Sequence, residues 1–441
     1  MKRVYFINPL SGLKPYHYEI PLNIAQLAAC LEKTPDVEIQ VIDFNLNGFC
    51  KQRIEDISNS KDNIICIPVY TYVINESVAI IELLKSKNEI TVIVGGPHIS
   101  LRGKEFMEKY ANITYGLSGE GDYTLPKLIE NLNCFEKNNK DIFNIEGLIY
   151  RNGKRVLENK RPSRIECLDK LPLQTDGFKY FDLNLIKNKI GFVPYIASRG
   201  CCYNCIYCSS SNLWGGKLKY VAPQIVAREI FNIKEMGFRI INFRDDFFTM
   251  NRKWLCEFLK EIKNLKIQWG CETRIDFVDY EILKEMREAG CILIRFGIET
   301  FNQKSLNLIG KRIDSNLILN NLRTVLGMGF LEVRASFIIG IPFETHEDIK
   351  RTIDTCRQLT GLNLKCRFFA LNPVIGTKLY DSMEEYKIKF NNSYNATHSN
   401  IETSELSNFD INKILSDVYD EFGNPNDYSH RDFSTILSFK D

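Results

Sequence analysis

Three cysteines in the middle of the chain have the spacing of ligands to an iron-sulfur cluster. Cys201, Cys205 and Cys208 follow a C-x3-C-x2-C pattern. Three thiolates can hold three irons of a [4Fe-4S] cluster and leave the fourth iron open to a small-molecule chelate, whereas an electron-carrying cluster needs a fourth cysteine. A structural zinc site would also need four protein ligands, and no histidine or second cysteine pair lies nearby in the sequence to complete one. The spacing therefore favours a cluster with one open iron.

Cys202 follows the first of these cysteines directly and could be a fourth ligand. Adjacent cysteines would need strained geometry to bind one cluster, so we leave the role of Cys202 open. The chain contains 14 cysteines, and a reducing compartment favours free thiols over disulfides. We expect the remaining cysteines to be small packing residues within strands and helices, and Cys30, Cys50 and Cys66 lie in elements that look buried.

The elements around the cysteine motif alternate between apolar runs and amphipathic stretches. The motif follows a predicted strand at residues 192–198, and the carboxyl ends of strands are where barrel enzymes place their chemistry. Further strands are predicted at residues 239–243, 267–271, 292–297, 332–339 and 364–371, with helices at 223–236, 253–262, 279–289 and 347–359. About six βα units are too few for a closed eight-stranded barrel, so we predict an open, partial (β/α)6 barrel.

A second α/β series precedes the barrel. Its predicted strands lie at residues 4–7, 37–43, 64–68, 90–94 and 113–117, with helices that include 21–31 and 76–87. This pattern predicts a Rossmann-like, doubly wound domain of about five strands. Asn152 and Gly153, between two short apolar runs at 148–157, predict a hairpin. A charged, proline-containing linker is predicted at 160–174.

These patterns divide the 441 residues into four parts. We predict a Rossmann-like domain at 1–145, a hairpin and linker at 146–185, the partial barrel at 186–380 and a small C-terminal cap or tail at 381–441. The last part contains one clear predicted helix, near residues 411–422.

The charge balance and the hydrophobic content exclude several classes of protein. Lys and Arg number 57 against 55 Asp and Glu, a formal net charge of +2, which excludes a polybasic nucleic-acid coat. Hydrophobic residues make up 44% of the chain, enough to fill its cores. The first apolar run is broken at Asn8 and Pro9, which predicts neither a signal peptide nor a membrane span. We therefore expect a cytoplasmic protein without a nucleic-acid or membrane partner.

With Tyr207 directly before its last cysteine, the motif resembles the signature of the radical S-adenosylmethionine (SAM) superfamily. The resemblance continues at successive predicted strand ends, in residues 244–249, 271–274, 297–300 and 336–342, and after the barrel in 372–377. In that family, the matching residues would position the cosubstrate. Those residues are Tyr207, Asp246 near the methionine amino group, Arg274 facing the carboxylate, Glu299 near the ribose and Ile338 along the adenine.

Each of these assignments has a structural alternative. Asp245 and Asp246 could cap the following helix, and Arg274 could pair with Glu272 or Asp276 on a solvated surface. Their positions at successive strand ends favour the functional interpretation. One departure concerns the turn, because the family often has proline where this chain has Cys202.

The first series resembles the cobalamin-binding domain that precedes the barrel in one branch of this superfamily. The likeness rests on residues 8–10, 94–98 and 118–122, each after a predicted strand, where glycines let the backbone approach a ligand closely. The resemblance implies a set of cofactor contacts: Pro9, Tyr70, Thr71, Gly95, Gly96, His98, Gly119, Glu120 and Gly121. The Asp-x-His-x-x-Gly motif that supplies a cobalt ligand elsewhere is absent, so the loop at 70–73 would lie below the cobalt. An isolated glycine turn or a vestigial domain is the alternative.

The resemblance implies a cobalamin-dependent methyltransferase. It would methylate an unactivated carbon, or less often a phosphorus, of a small metabolite or peptide through a 5′-deoxyadenosyl radical and methylcobalamin. The electron donor would be flavodoxin or ferredoxin. Two alternatives remain: a radical SAM enzyme catalysing a ring contraction, cyclisation or rearrangement, and a non-enzymatic iron-sulfur or cobalamin sensor.

Overall fold

The structure is a computed structural model that describes residues 2–11, 18–85, 90–133 and 140–425. The chain divides into two compact units, Met1–Leu185 and Ile186–Asp441. Each unit consists of a mainly parallel sheet with helices, so the α/β class expected from the alternating sequence pattern is confirmed.

The first unit is built on one sheet, which has seven strands within the described residues. The strands are β1 (Lys2–Asn8), β2 (Val37–Asp43), β3 (Asn63–Pro68), β4 (Thr91–Gly95), β5 (Tyr115–Leu117), β6 (Leu148–Asn152) and β7 (Arg155–Glu158). The helices are α1 (Leu22–Leu31), α2 (Phe44–Asn47), α3 (Lys51–Ser58), α4 (Ile74–Lys85), α5 (Pro97–Lys109) and α6 (Gly121–Asn133). The last two residues of the helix predicted at 76–87 lie outside the described residues.

The strand order in this sheet creates a site for ligands. The order is β2-β1-β3-β4-β5-β6-β7, with the first five strands parallel. Ligands bind doubly wound sheets outside the carboxyl ends of the strands, at the point where the strand order reverses direction. In this sheet that point lies between β1 and β3. All six residues of β3 are buried, as expected for a central parallel strand covered on both faces.

The predicted hairpin is confirmed, but it extends the sheet instead of standing apart from it. β6 pairs antiparallel with β5, and Leu117 lies opposite Leu148. Asn152 pairs with Arg155, so the turn consists of Gly153 and Lys154. Gly153 has φ of +61°, a left-handed conformation that glycine adopts without a steric penalty.

The second unit contains the predicted partial barrel. Its strands are β8 (Phe192–Tyr195), β9 (Ser198–Arg199), β10 (Lys219–Tyr220), β11 (Ile240–Phe243), β12 (Gln268–Thr273), β13 (Cys291–Glu299), β14 (Glu332–Ile339), β15 (Leu364–Ala370), β16 (Lys389–Phe390) and β17 (Ile401–Glu402). Helix α7 (Leu183–Lys189) crosses the boundary between the units. The other helices are α8 (Ser210–Trp214), α9 (Pro223–Glu235), α10 (Arg252–Ile262), α11 (Tyr280–Glu288), α12 (Gln303–Leu308), α13 (Ser315–Gly327), α14 (His346–Thr360), α15 (Lys378–Asp381) and α16 (Asn408–Phe422).

Six parallel strands form the barrel sheet in the order β8-β11-β12-β13-β14-β15. The rings of Phe243 and Trp269 have centroids 5.6 Å apart, and both pack against Phe258 of α10. Consecutive strand residues point to opposite faces. Asn242 and Gly270, which lie opposite each other, therefore face the interior of the partial barrel.

Two sequence-based expectations about this part of the chain are wrong in detail. The first barrel strand ends at Tyr195, three residues before the predicted end, because Ser198 and Arg199 pair with β10 in a separate two-stranded sheet. Cys50 is exposed and precedes α3 as its N-cap residue, so it is not a packing residue. Cys30 and Cys66 are buried as expected.

No helix in the described ranges is long and apolar enough to cross a membrane. The predicted C-terminal helix is present as α16, and residues 426–441 of the predicted tail lie outside the described residues.

Candidate functional site

The cysteine motif forms a loop between β9 and α8. Electrostatic interactions connect each of the thiols of Cys201, Cys205 and Cys208 with the other two, and all three side chains are partly buried. In the described residues, no three His, Cys, Asp or Glu side chains are grouped so that they could hold a metal ion. A [4Fe-4S] cluster is much larger than one ion and needs its three thiolates spread around it. Three neighbouring thiols on one loop fit that group.

The neighbouring Cys202 differs from the three candidate ligands. Its side chain is exposed, and its Sγ lies 3.7 Å from Met250 Sδ. Gly200 precedes the motif with φ of +109°, and a Cβ there would lie 2.1 Å from the backbone oxygen of Lys217. Cys202 stands where the family often has proline. Two residues earlier, Gly200 has a backbone conformation that no other residue can adopt there without strain.

The loop is held in place by segments that follow later strands. The backbone N–H of Ile206 donates to Ile309 O at 3.1 Å, and Ile206 O accepts from Leu379 N at 2.9 Å. Asn212 donates its amide to Gly376 O. Gly376 belongs to the motif predicted after the barrel, so this motif holds α8, the helix that directly follows the cysteine loop.

A buried group of three polar side chains lies beside Cys205. Tyr207 Oη donates to Glu299 Oε1 at 2.8 Å, and Lys311 Nζ lies 3.0 Å from the same oxygen. Burial raises the pKa of Tyr207, and the negative charge of Glu299 adds to the shift. A Cβ on Gly297 would lie 2.6 Å from Glu299 Oε1, so the space for this carboxylate depends on glycine.

Lys311 is a candidate site residue that sequence reasoning missed. It is 5% exposed and interacts electrostatically with Cys205. Buried lysines are rare unless they are paired. In the sequence, Lys311 follows a glycine after a short helix, and no spacing marks it as different from a surface lysine.

Arg274 is buried, and one of its nitrogens lacks a partner. Its Nε and Nη2 donate to the carboxylate of Asp276 at 3.0 and 2.8 Å, and Nη2 also donates to Lys311 O at 2.8 Å. Its guanidinium lies 4.0 Å from the ring centroid of Tyr203. The Nη1 atom is buried without a hydrogen-bond partner in the structure. A buried donor without an acceptor is costly, so this nitrogen suits an anionic ligand atom.

The surface alternative for Arg274 does not describe the structure. The pair with Asp276 exists, but the two side chains are only 8% and 14% exposed. Glu272, the other suggested partner, instead accepts from Arg244 Nη1 at 2.9 Å and lies 3.5 Å from Arg295 Nη1.

The two adjacent aspartates after β11 have different environments. Asp245 is buried and accepts from Ser198 Oγ at 2.5 Å and from Ala197 N at 3.3 Å, and burial raises its pKa to about 7. Asp246 is exposed and interacts electrostatically with Cys201 and Cys208. The Asp246 carboxylate also accepts from Gly200 N and from the side chains of Ser210 and Trp214, so it lies beside two of the candidate cluster ligands in a fixed position.

The capping alternative for these aspartates is also not observed. The following helix, α10, is capped by Asn251, whose side chain accepts from Trp254 N at 3.1 Å.

Ile338 lies on the interior face of β14. Its neighbour Phe337 is buried and packs against Phe301 and Phe368, with ring centroids 5.4 and 5.3 Å away. Because strand residues alternate, the half-buried Ile338 faces the opposite way. The predicted adenine contact stays a prediction that this orientation permits.

In the first unit, the predicted corrin contacts lie in loops at the carboxyl edge of the sheet. The rings of Tyr70 and Tyr72 stack with centroids 5.6 Å apart, and Tyr72 is 63% exposed. Thr71 Oγ1 lies 3.1 Å from His98 Nδ1. Burial lowers the pKa of His98 to about 4, so the imidazole is neutral. The His98 side chain is also buried, and its assigned contact with the corrin stays a prediction.

The glycines of these loops allow close packing between neighbouring turns. A Cβ on Gly96, which has φ of +95°, would lie 3.2 Å from Val69 N and O. A Cβ on Gly95 would lie 3.7 Å from Leu117 O. Pro9 O accepts from Asn45 Nδ2 at 2.7 Å, which fixes the loop after β1.

The loop after β5 contacts the linker segment. Glu120 Oε2 accepts from Arg164 Nε at 2.8 Å and from Ile165 N at 2.9 Å. A Cβ on Gly119 would lie 2.9 Å from Pro162 Cγ. Gly121 begins α6. The cofactor contacts assigned to these three positions stay predictions, and Glu120 has this structural role beside them.

Comparison with protein families identifies two known domains in the chain. Residues 195–356 match the radical SAM superfamily, and residues 11–129 match the B12 binding domain. The two matches fall in the second and the first structural unit respectively.

Several known proteins are similar to this chain over most of its length. An uncharacterized methyltransferase from Pyrococcus horikoshii is 30% identical over 91% of this chain and 87% of its own length. An anaerobic magnesium-protoporphyrin IX monomethyl ester cyclase from Rubrivivax gelatinosus is 26% identical over 80% of this chain and 65% of its own length. The structure of the radical SAM methyltransferase TsrM from Kitasatospora setae, solved with cobalamin and a [4Fe-4S] cluster, superposes with a TM-score of 0.73. It is 17% identical and covers 90% of this chain and 78% of that protein.

Proposed function

The chain belongs to the family of cobalamin-dependent radical SAM methyltransferases, and on this premise we propose that it methylates an unactivated carbon, or less often a phosphorus, of a small metabolite or peptide. It is a radical SAM enzyme whose cofactors are a [4Fe-4S] cluster, SAM and cobalamin. The proposal rests on one observation: a B12 binding domain and a radical SAM domain follow each other in this chain. The chain also aligns over 91% of its length with a relative named a methyltransferase.

The cysteine loop and its surroundings would hold the cluster. When bound, the cluster supplies the electron that cleaves SAM to a 5′-deoxyadenosyl radical, and cobalamin carries the methyl group. Cys201, Cys205 and Cys208 would bind three irons and leave the fourth to SAM. Ile206, fixed on both sides by backbone hydrogen bonds, keeps this loop in place, and the half-buried site limits access of water to a reactive radical.

Side chains at the strand ends would orient the cosubstrate. Arg274 Nη1 would donate to the SAM carboxylate, because it is buried beside Cys205 and lacks an acceptor. Asp246 would accept from the amino group, since its carboxylate lies near Cys201 and Cys208. Glu299 would lie near the ribose and Ile338 along the adenine.

The first unit would bind cobalamin at the carboxyl edge of its sheet. Thr71, held by His98, and the stacked pair of Tyr70 and Tyr72 would lie at the lower face of the corrin. These residues would hold the corrin, and cobalamin would supply the methyl group for transfer when bound. The reducing equivalents would come from a flavodoxin or ferredoxin.

One alternative keeps the radical chemistry without methyl transfer. A relative over 80% of the chain is named a cyclase, which supports a cyclisation or another rearrangement. The sensor alternative is set aside, because the family to which the chain belongs consists of enzymes.

An experiment without a known substrate separates the two enzymatic functions. Anaerobically reconstituted protein, loaded with cobalamin, is incubated with reductant and SAM carrying a deuterated methyl group. Methyl transfer requires S-adenosylhomocysteine and labelled methylcobalamin, together with 5′-deoxyadenosine from uncoupled cleavage. Formation of 5′-deoxyadenosine without S-adenosylhomocysteine would exclude methylation and favour the rearrangement.

A further inference from the structure

Two non-glycine residues with left-handed backbones lie at the carboxyl ends of the neighbouring barrel strands β13 and β14, one at the strand end and one in the following loop. Glu299, the last residue of β13, has φ of +72°, and Phe343, in the loop after β14, has φ of +62°. The register between β13 and β14 shifts between Gly297 and Glu299. Left-handed backbone is unfavourable for residues with a Cβ, and it persists where the surrounding structure holds it.

One buried hydrogen bond connects the residues that directly follow these two positions. Thr300 Oγ1 donates to Glu344 Oε1 at 2.7 Å. Thr300 is 1% exposed and Glu344 is 2% exposed. We call this pair the Thr300–Glu344 clamp, because it joins the loop after β13 to the loop after β14.

Further hydrogen bonds attach the clamp to the helices behind it. Thr300 Oγ1 lies 3.2 Å from Thr352 Oγ1 in α14, and Phe301 N donates to the same Thr352 oxygen at 3.3 Å. Asn302 N donates to Thr300 Oγ1 at 3.1 Å. The Thr300 hydroxyl is therefore held from several directions, and its position fixes the backbone that follows Glu299.

The two clamped loops carry residues assigned to cosubstrate binding. The carboxylate of Glu299 accepts hydrogen bonds from Tyr207 at 2.8 Å and from Lys311 at 3.0 Å. Because Tyr207 belongs to the cysteine loop, the orientation of the Glu299 side chain also affects that loop. The other loop begins two residues after Ile338, with Gly340 in a left-handed conformation at φ of +97°.

We infer that Thr300 and Glu344 are positioning residues for SAM: their hydrogen bond holds the left-handed residues Glu299 and Phe343, and with them both cosubstrate-binding loops, in the conformation that binds SAM. Neither residue needs to touch the ligand. The inference requires SAM binding at this barrel and does not depend on which group the enzyme transfers.

Paired substitutions test the clamp. Thr300→Val and Glu344→Met remove the hydrogen bond at nearly constant volume, whereas Thr300→Ser and Glu344→Gln retain a donor and an acceptor. Thr355→Val, at a partly exposed position of α14 where the hydroxyl donates to Arg351 O at 2.8 Å, is the matched control for the loss of a threonine hydroxyl. Each reconstituted variant is measured for iron content, for SAM affinity by equilibrium dialysis and for the effect of SAM on the electron paramagnetic resonance spectrum of the reduced cluster.

We expect Thr300→Val and Glu344→Met to weaken SAM binding by about tenfold or more at unchanged iron content, and the two conservative variants to stay within about twofold of the wild type. If the disruptive variants bind SAM as the wild type does and lower only the melting temperature, the clamp is structural and the inference is wrong. Should they not fold, Glu344→Asp, which withdraws the carboxyl by one methylene, is measured in the same way, and unchanged affinity contradicts the inference. A wild-type protein that binds SAM but methylates nothing refutes the proposed function and leaves this inference intact.

Discussion

Tyr207 donates its phenolic hydrogen to Glu299 Oε1 over 2.8 Å, and the two residues are 92 positions apart in the sequence. The bond joins the cysteine loop to the end of β13. Lys311 shares the same oxygen at 3.0 Å. One buried carboxylate thus connects the candidate cluster ligands with the strand end assigned to the cosubstrate.

Replacing Tyr207 by phenylalanine should leave cluster assembly intact and weaken SAM binding. The change removes one of the two donors to a buried carboxylate, so we expect the free energy of unfolding to fall by about 1–3 kcal/mol and SAM affinity to fall by about tenfold. Tyr280→Phe, at a tyrosine that is 57% exposed, is the control. Equilibrium dialysis with SAM and denaturant unfolding measure the two effects. Equal affinities in both variants would exclude the role of this bond.

Cluster content should depend on Cys205 and not on Cys202. Cys205→Ala removes one of three ligands, and we expect iron and sulfide to fall to background with loss of the cluster absorbance. Cys202→Ala should retain full iron content, because Cys202 is exposed beside Met250. Loss of the cluster in Cys202→Ala would make that residue a fourth ligand.

Arg274→Lys should raise the KM for SAM by about tenfold or more, because a lysine keeps the charge but loses the planar set of donors. Arg252→Lys is a matched control, since Arg252 also forms a two-pronged pair, with Asp279, but at an exposed position. The readout is the SAM dependence of 5′-deoxyadenosine formation. Similar KM values in the two variants would show that Arg274 does not bind SAM and only stabilises its own loop.

Thr71→Val and His98→Phe should weaken the binding of hydroxocobalamin, because each removes the bond that orients the loop after β3. We expect an increase in Kd of about fivefold to tenfold, measured by the absorbance of protein-bound corrin after gel filtration. Iron content in the second unit serves as the internal control. Wild-type corrin binding in both variants would place the cofactor away from this loop.

The stability of the protein should fall as the pH rises through the range in which Glu344 ionises. Burial raises the pKa of Glu344 from 4.5 to about 7, and Asp348 also contributes to the increase. The folded state therefore holds this proton more tightly than the unfolded chain does. The stabilisation is fully present below pH 4.5 and is lost as the pH rises through about 7, by about 3 kcal/mol in total.

Glu344→Gln should reduce this pH dependence, leaving the contribution of Asp245, whose pKa burial also raises to about 7. Urea unfolding at about pH 5 and about pH 8 measures the difference in the free energy of unfolding. Glu281→Gln, at an exposed position of α11, should keep the wild-type slope. The prediction fails if the slope of Glu344→Gln equals that of the wild type.

The sequence by itself determined the order and type of the main elements. Apolar runs and helical periodicity are local signals, so they located strands such as β2 and β14 to the residue. The cysteine spacing and the motifs at successive strand ends likewise indicated the radical SAM family. Family membership then followed from similarity over most of the chain.

Only the tertiary structure decided which side chains meet. The sequence favoured Asp246 over Asp245 by resemblance. In the structure the Asp245 carboxylate accepts from Ser198 and Ala197, whereas Asp246 is the aspartate that interacts with Cys201 and Cys208. The buried position of Lys311 and the unpartnered Nη1 of Arg274 leave no trace in local periodicity. These relationships arise when the sheet brings distant strand ends together. Burial then strengthens each hydrogen bond that forms and raises the free-energy cost of each polar group left without one.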